Sequence, residues 1–370
     1  MTIGLIGVCL WPLYYAKLLP YYPSIVHTRL MIQGFAALFI FGFLATAGPR
    51  LLGAPAFSRR AISALFALCL IASGLHLLNR NALGDLSFGI ASIIVIVLAI
   101  GSFRARNDCP PPGFPLAGLG LACGAGGSLL LSYSFSLSSS PKLYELGKLL
   151  LFQGFTLLPI VGVGAFFFPR ILGSPNIHDF PEMRLPNDAW RRRFRHGICA
   201  GLAFLLSLAI EIQGYTALAY SVRVIALASY CHAEIPFAAL GPPKAPHSRQ
   251  LLFSLFTIVI GLIGAAFFPE RKVAWLHAYY VVGLTGVVFL VSLRVVFGHC
   301  GRPDLIAKSV RIFAWIIGAL GLAASTRVFA DFMPSIQISH YLYAAILWAA
   351  CGIAWLYLVA PYTRQRETYD

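Results

Sequence analysis

Apolar runs about the length of a membrane crossing, separated by short polar breaks, follow one another along the whole chain. A transmembrane helix takes about 20 mostly apolar residues. That spacing predicts helices near residues 3-19, 24-47, 61-79, 83-103, 114-135, 145-168, 196-214, 216-233, 250-268, 273-297, 306-327 and 337-360. The pattern therefore reads as an all-α polytopic membrane protein with about 12 transmembrane helices.

The pattern also repeats. The stretch from Gln33 to Pro55 returns without a gap from Gln153 to Pro175, matching at Gln, Gly, Phe, Ile, Gly, Ala, Pro, Arg, Leu, Gly and Pro. A looser third copy runs from Gly283 to Pro303. Self-similarity at a long period marks a fold built from repeated units. The copies begin at Gly34, Gly154 and Gly283, on predicted helices two, six and ten, so each step holds four helices. This predicts one integral membrane domain, 1-370, made of three four-helix repeats (roughly 1-110, 111-235 and 236-370) in a pseudo-threefold arrangement. An even number of spans per step gives the units one topology, unlike inverted transporter repeats. Gly34, Gly42, Gly48, Gly154, Gly162 and Gly164 would let membrane helices approach closely, and the same lack of side chain would suit a flat cofactor.

Composition agrees. The chain is 59% hydrophobic and 11% charged, against about 25% charged in soluble domains. A net charge of +15 would point a soluble protein toward nucleic acid, but here the basic residues divide between alternate loops, 17 on one side and 7 on the other. Lys and Arg stay on the cytoplasmic side during insertion, so both termini are expected there, and no nucleic-acid partner is implied. The first helix lacks the basic start and cleavage site of a secretory signal and reads as permanent. Eight cysteines without a CxxC pair support neither zinc nor a disulfide framework. The chain has no P-loop, GxSxG, HExxH or paired carboxylates, so no catalytic residue or reaction is assigned.

Topology sorts the histidines. His27, His277, His76 and His340 lie toward the outer face, a possible metal layer, whereas His178, His196, His232, His247 and His299 lie inward. A buried imidazole in a membrane helix is a functional candidate. His27 and His277 lead, because His27 precedes Gly34 by seven residues and His277 precedes Gly283 by six. Imidazoles entering from two helices can serve as axial haem ligands, and imidazole also suits copper. The one-residue offset turns a side chain by about 100° on an ideal helix. Among the intramembrane charges Glu211, Arg223, Arg294 and Arg327, either Arg327 or Arg223 could hold haem propionates, and Glu211 with Arg223 could instead form an ion pair.

The residues His27, Met31, Gly34, Phe35, Gly42, Phe43, Leu44, Thr46, Ala47, Pro49 and Gly53 stand where the NnrS family carries its span-two pattern. His277, Gly283, Arg294, Gly298, His299, Gly301, Arg302 and Pro303 are similar to its span-ten pattern, and Trp348 and Tyr362 to its last helix. The chain thus resembles that family from end to end. The resemblance implies a bacterial inner-membrane protein of the nitric oxide response carrying haem and copper, with nitric oxide or an iron-nitrosyl species as partner beside the lipid bilayer. Where the family has a second His and a Glu, this chain has Arg29 and Leu30, and Arg does not ligate metals. A haem b site on His27 and His277, with Gly34 giving the porphyrin room and Arg327 above it toward water, survives that difference better than a complete copper site. The architecture also resembles the catalytic subunit of haem-copper oxidases, which hold a haem between helices two and ten; helix six here has no histidine for a binuclear centre. The alternatives are a transporter of a small molecule or metal, and a cofactor-less paralogue acting by interaction.

Overall fold

The computed structural model describes residues 1–136, 140–173, 186–235 and 245–363. His178, together with Arg184, Lys244, Arg364 and Arg366 of the 17 basic residues on the inner side, lies outside the described residues. The described chain is all helical: α1 (Thr2–Tyr15), α2 (Ser24–Leu51), α3 (Arg59–Leu77), α4 (Asn81–Arg104), α5 (Phe114–Ser136), α6 (Pro141–Leu172), α7 (Asp188–Ile212), α8 (Thr216–Glu234), α9 (Pro246–Phe267), α10 (Pro269–His299), α11 (Val310–Ala330) and α12 (Gln337–Val359), plus one short helix, Asp304–Lys308. In lipid every backbone polar group must be satisfied internally, and a helix does this within one segment.

Ten of these helices are long and apolar enough to cross a membrane; α1 and α8 are not among them. Helix α1 stops short of the predicted 3-19 because Lys17 takes a left-handed conformation (φ 61°). The Lys17 and Leu18 amides then bond back to the Tyr14 and Leu13 carbonyls and close the helix. Helix α8 carries Arg223 and several hydroxyls on 19 residues. Helix α7 begins eight residues ahead of the predicted 196-214, capped by the Asn187 side chain. The arginines Arg191, Arg192, Arg193 and Arg195, which precede the predicted span, thus lie on its first turns. Large apolar side chains such as Phe66, Val97, Ile225 and Trp315 point outward. Such a surface suits lipid rather than water.

The chain divides into two compact units: Met1–His27, Ile171–Gly173 and Leu240–Asp370, and Thr28–Arg170 with Ser174–Ala239. Repeat glycines Gly34 and Gly154 fall in the second unit and Gly283 in the first.

In the second unit, α5 lies against α6 through bare backbone. A Cβ added at Gly120 would come within 2.3 Å of Pro159, at Gly124 within 2.7 Å of Phe155, and at Gly162 within 2.6 Å of the Gly113 carbonyl. Gly154 likewise sits on Cys123. These are the close approaches expected of small residues in membrane helices. Gly42 and Gly48 differ, since a Cβ at either would meet nothing within 4 Å. A Cβ at Gly164 would first meet Phe168 of its own helix, at 2.3 Å. In the first unit, α9 and α10 pack antiparallel, with Gly264 under Trp275, Gly261 under Tyr279, Gly283 on Ile258 and Gly286 on Ser254.

The three sequence copies share two local features. Each passes through a π-helical stretch around its glycine: Leu30–Ala36, Leu150–Gly154 and Tyr279–Leu284. Each then ends at a left-handed glycine, Gly53 (φ 57°), Gly173 (φ 77°) or Gly301 (φ 62°). At Gly301 the next amide, Arg302, bonds the Phe297 carbonyl, which ties off the helix; only glycine takes this turn without steric cost.

Candidate functional site

His27 stands in the first turn of α2, and its Nδ1 lies 2.9 Å from the Gly7 carbonyl of α1. His277 uses its own helix, with Nδ1 2.7 Å from the Val273 carbonyl. A carbonyl only accepts, so in both rings Nδ1 carries the proton. A neutral imidazole then keeps a lone pair on Nε2, the form in which histidine binds metal. Both rings are half-buried and belong to the same unit. They interact electrostatically with one another and with Arg327.

Aromatic side chains gather around His27. Trp11 meets His27 edge-on at 5.9 Å and Tyr22 at 5.4 Å, and lies 6.5 Å from Tyr341. Arg327 stacks over Tyr341 at 4.1 Å and pairs with Asp331 at 2.7 Å. Tyr341 donates its hydroxyl proton to Asp331 and accepts from Gln337 Nε2 at 2.8 Å. The guanidinium predicted to face propionates therefore already has a carboxylate partner through one nitrogen. His340 repeats the pattern of His277, with Nδ1 3.1 Å from the Ile336 carbonyl and its ring beside Phe329 and Tyr343. Gly34 is buried in the α2 π-turn.

His76 serves differently. Its ring is fully buried in the second unit, with Nε2 2.8 Å from Gln33 Oε1 and Nδ1 3.0 Å from Asn81 Oδ1. Gln33 Nε2 donates to Asp85, so its oxygen faces the ring and accepts from His76 Nε2. Asp85 also receives Arg29 through Nε at 2.7 Å and Nη2 at 3.2 Å. Arg29, one of the seven basic residues placed on the outer side, is 1% exposed and is held on Asp85 through two nitrogens. Neither ring nitrogen of His76 is left free in this network.

A second buried network surrounds Arg223. Its guanidinium donates to Glu211, to Gln153 Oε1 at 2.8 Å and to Ser207 Oγ at 2.8 Å, while stacking on Tyr220 at 4.3 Å. The ion pair with Glu211 is the alternative that holds. These bonds leave Arg223 committed to its own unit rather than to a propionate.

Asp85, Gln33 and Gln153 are not among the site residues expected from the sequence. Asp85 offered a signal, a lone acid within a predicted span, where carboxylates are rare and paired. The glutamines offered one too, as matched polar positions in a repeat that is otherwise apolar or glycine.

The donor chemistry can be set against the groups the resemblance implies. Two imidazoles with Nε2 lone pairs fit an axial pair for haem iron. Among the described residues no group of three or more His, Cys, Asp or Glu could hold a metal ion, so a multi-ligand copper centre has no matching set there. Beyond the site, hydrogen bonds from Arg302 and Lys308 hold the exposed Asp304 carboxyl well below the usual carboxylate range, closing the segment after Gly301.

No curated protein matches the chain. The family model described as NnrS protein matches residues 1–366, essentially the whole length. Its reach over both units, including the helices that carry His27 and His277, makes the chain a member of the NnrS family.

Proposed function

We propose that this protein serves the response to nitric oxide from within a bacterial inner membrane, with both termini cytoplasmic, and that it binds haem b between His27 and His277. The observation that carries this reading is the matched state of the two rings. Each directs Nδ1–H to a backbone carbonyl and keeps Nε2 for a ligand. The π-turns of α2 and α10 and the shared glycine exits favour the reading of the chain as three repeats.

Haem iron held between the two imidazoles would supply a redox centre for electron transfer. The residues hold the rings and set their protonation. Gly7 and Val273 fix the tautomers, Trp11 shields His27 from water, and Arg327 sets a positive field nearby. In this reading Asp331 shares Arg327 with a propionate. Copper, the family's other metal, has two imidazoles to draw on and no third ligand among the described residues.

The test is a reduced-minus-oxidised optical spectrum of protein purified after expression with ample haem. His27→Ala and His277→Ala are each expected to abolish the low-spin bands, and His299→Ala to keep them. A wild-type protein without a haem band, or single variants that keep it unchanged, would overturn the assignment.

A further inference from the structure

Three side chains on one face of α9, His247, Gln250 and Ser254, are 3%, 8% and 1% exposed, and each has a buried polar atom without a hydrogen-bond partner: Nε2, Oε1 and Oγ. Such atoms are rare in folded proteins, because each one costs roughly 1–3 kcal/mol. Their spacing, three and then four residues apart, puts them on one stripe. The stripe faces α10, since Ser254 lies against Gly286.

The antiparallel register of the two helices, Gly261 on Tyr279, Ile258 on Gly283 and Ser254 on Gly286, carried two turns on, sets His247 opposite Arg294. The two interact electrostatically. Arg294 is half-buried and has no ion pair with any described carboxylate. Other buried arginines of this protein, Arg29 and Arg223, each have a carboxylate. An uncompensated guanidinium in a low-dielectric setting calls for an anion. The first turn of α9, which has no side-chain cap, begins beside His247 and adds the positive end of a helix.

We propose that Arg294, His247 and Gln250 form an oxoanion site of the phosphate class at this end of the unit. The occupant is either free phosphate or the phosphodiester of an anionic lipid headgroup. Arg294 supplies a charge-assisted fork. His247 donates from Nε2, its ring set by edge contact with Phe313 at 5.6 Å. Gln250 donates from its amide NH2 after reversal of the amide, an orientation that heavy atoms do not distinguish. Ser254 continues the polar stripe a turn deeper and is left for water. This site involves neither His27 nor His277 and stands apart from the haem reading.

The test uses the full-length protein in neutral detergent, titrated separately with inorganic phosphate, short-chain phosphatidylglycerol and short-chain phosphatidylcholine, and followed by its thermal midpoint. Phosphate or phosphatidylglycerol is expected to raise the midpoint, and phosphatidylcholine to leave it unchanged. A response to phosphate alone identifies the free anion; a response to phosphatidylglycerol alone identifies lipid. Arg294→Gln is expected to weaken the apparent affinity by about 10-fold or more. Arg302→Gln, an exposed residue paired with Asp304, serves as the control and keeps the wild-type response. Should Arg294→Gln fail to fold, His247→Gln and Gln250→Leu carry the same comparison. No response to either anion, an equal response to phosphatidylcholine, or a folded Arg294 or His247 variant with unchanged affinity overturns the proposal.

Discussion

Gly84 and His76 form a tight residue-level dependence in the second unit. A Cβ at Gly84 would lie 2.5 Å from the His76 ring, whose two nitrogens are tied to Gln33 and Asn81. The ring has nowhere to retreat, so Gly84→Ala is expected to destabilise the protein by about 1–3 kcal/mol, read as a lower thermal midpoint in detergent. Gly42→Ala, which meets nothing within 4 Å, is the matched control and should leave the midpoint unchanged. The Arg29–Asp85 pair sets a second test. Asp85→Leu strands a buried guanidinium and should cost roughly 3–5 kcal/mol. Adding Arg29→Met should recover much of that loss, because two apolar groups of similar shape replace the pair. A double variant no more stable than the single one would show that Arg29 does not depend on Asp85.

At the scale of elements, the π-turns separate what the sequence made legible from what it hid. Helix positions came from apolar run length, and the helices fall within several residues of the predicted spans because lipid solvation acts on every residue of a run. Two ends moved for local reasons, Lys17 turning left-handed and Asn187 capping α7 early. Relative azimuth along α2 and α10 was not legible. A one-residue offset separates His27 from His277 by about 100° only on a helix of 3.6 residues per turn, and both helices leave that geometry between the histidine and the glycine. A π-turn holds an extra residue. Removing Met31 from the α2 π-turn should therefore be absorbed as an α-turn that swings His27 away, keeping the fold and losing the haem spectrum. Removing Leu44, in the regular part of α2, should destabilise the protein itself. Equal thermal midpoints for the two deletions would count against this. The ion networks were half visible. Acidic and basic residues within apolar runs announced themselves, but their pairing depended on which helices became neighbours.

For the whole molecule, the basic residues predict an orientation that can be measured in cells. A reporter active only outside the cytoplasm is expected to work when fused after Asn79, between α3 and α4, and to be silent after Asn107, between α4 and α5. The opposite result would invert the topology and move His27 and His277 to the cytoplasmic face. The repeat also bears on how such a chain changes over time. Gln33 offers its NH2 to a carboxylate, Asp85, whereas Gln153 offers its oxygen to a guanidinium, Arg223. A primary amide presents a donor and an acceptor on one planar group, so the same residue can bridge an acid in one copy and a base in the other. The charged members of a duplicated membrane unit can then drift, and even exchange sign around the fixed amide, without passing through a stage in which a bare charge faces lipid.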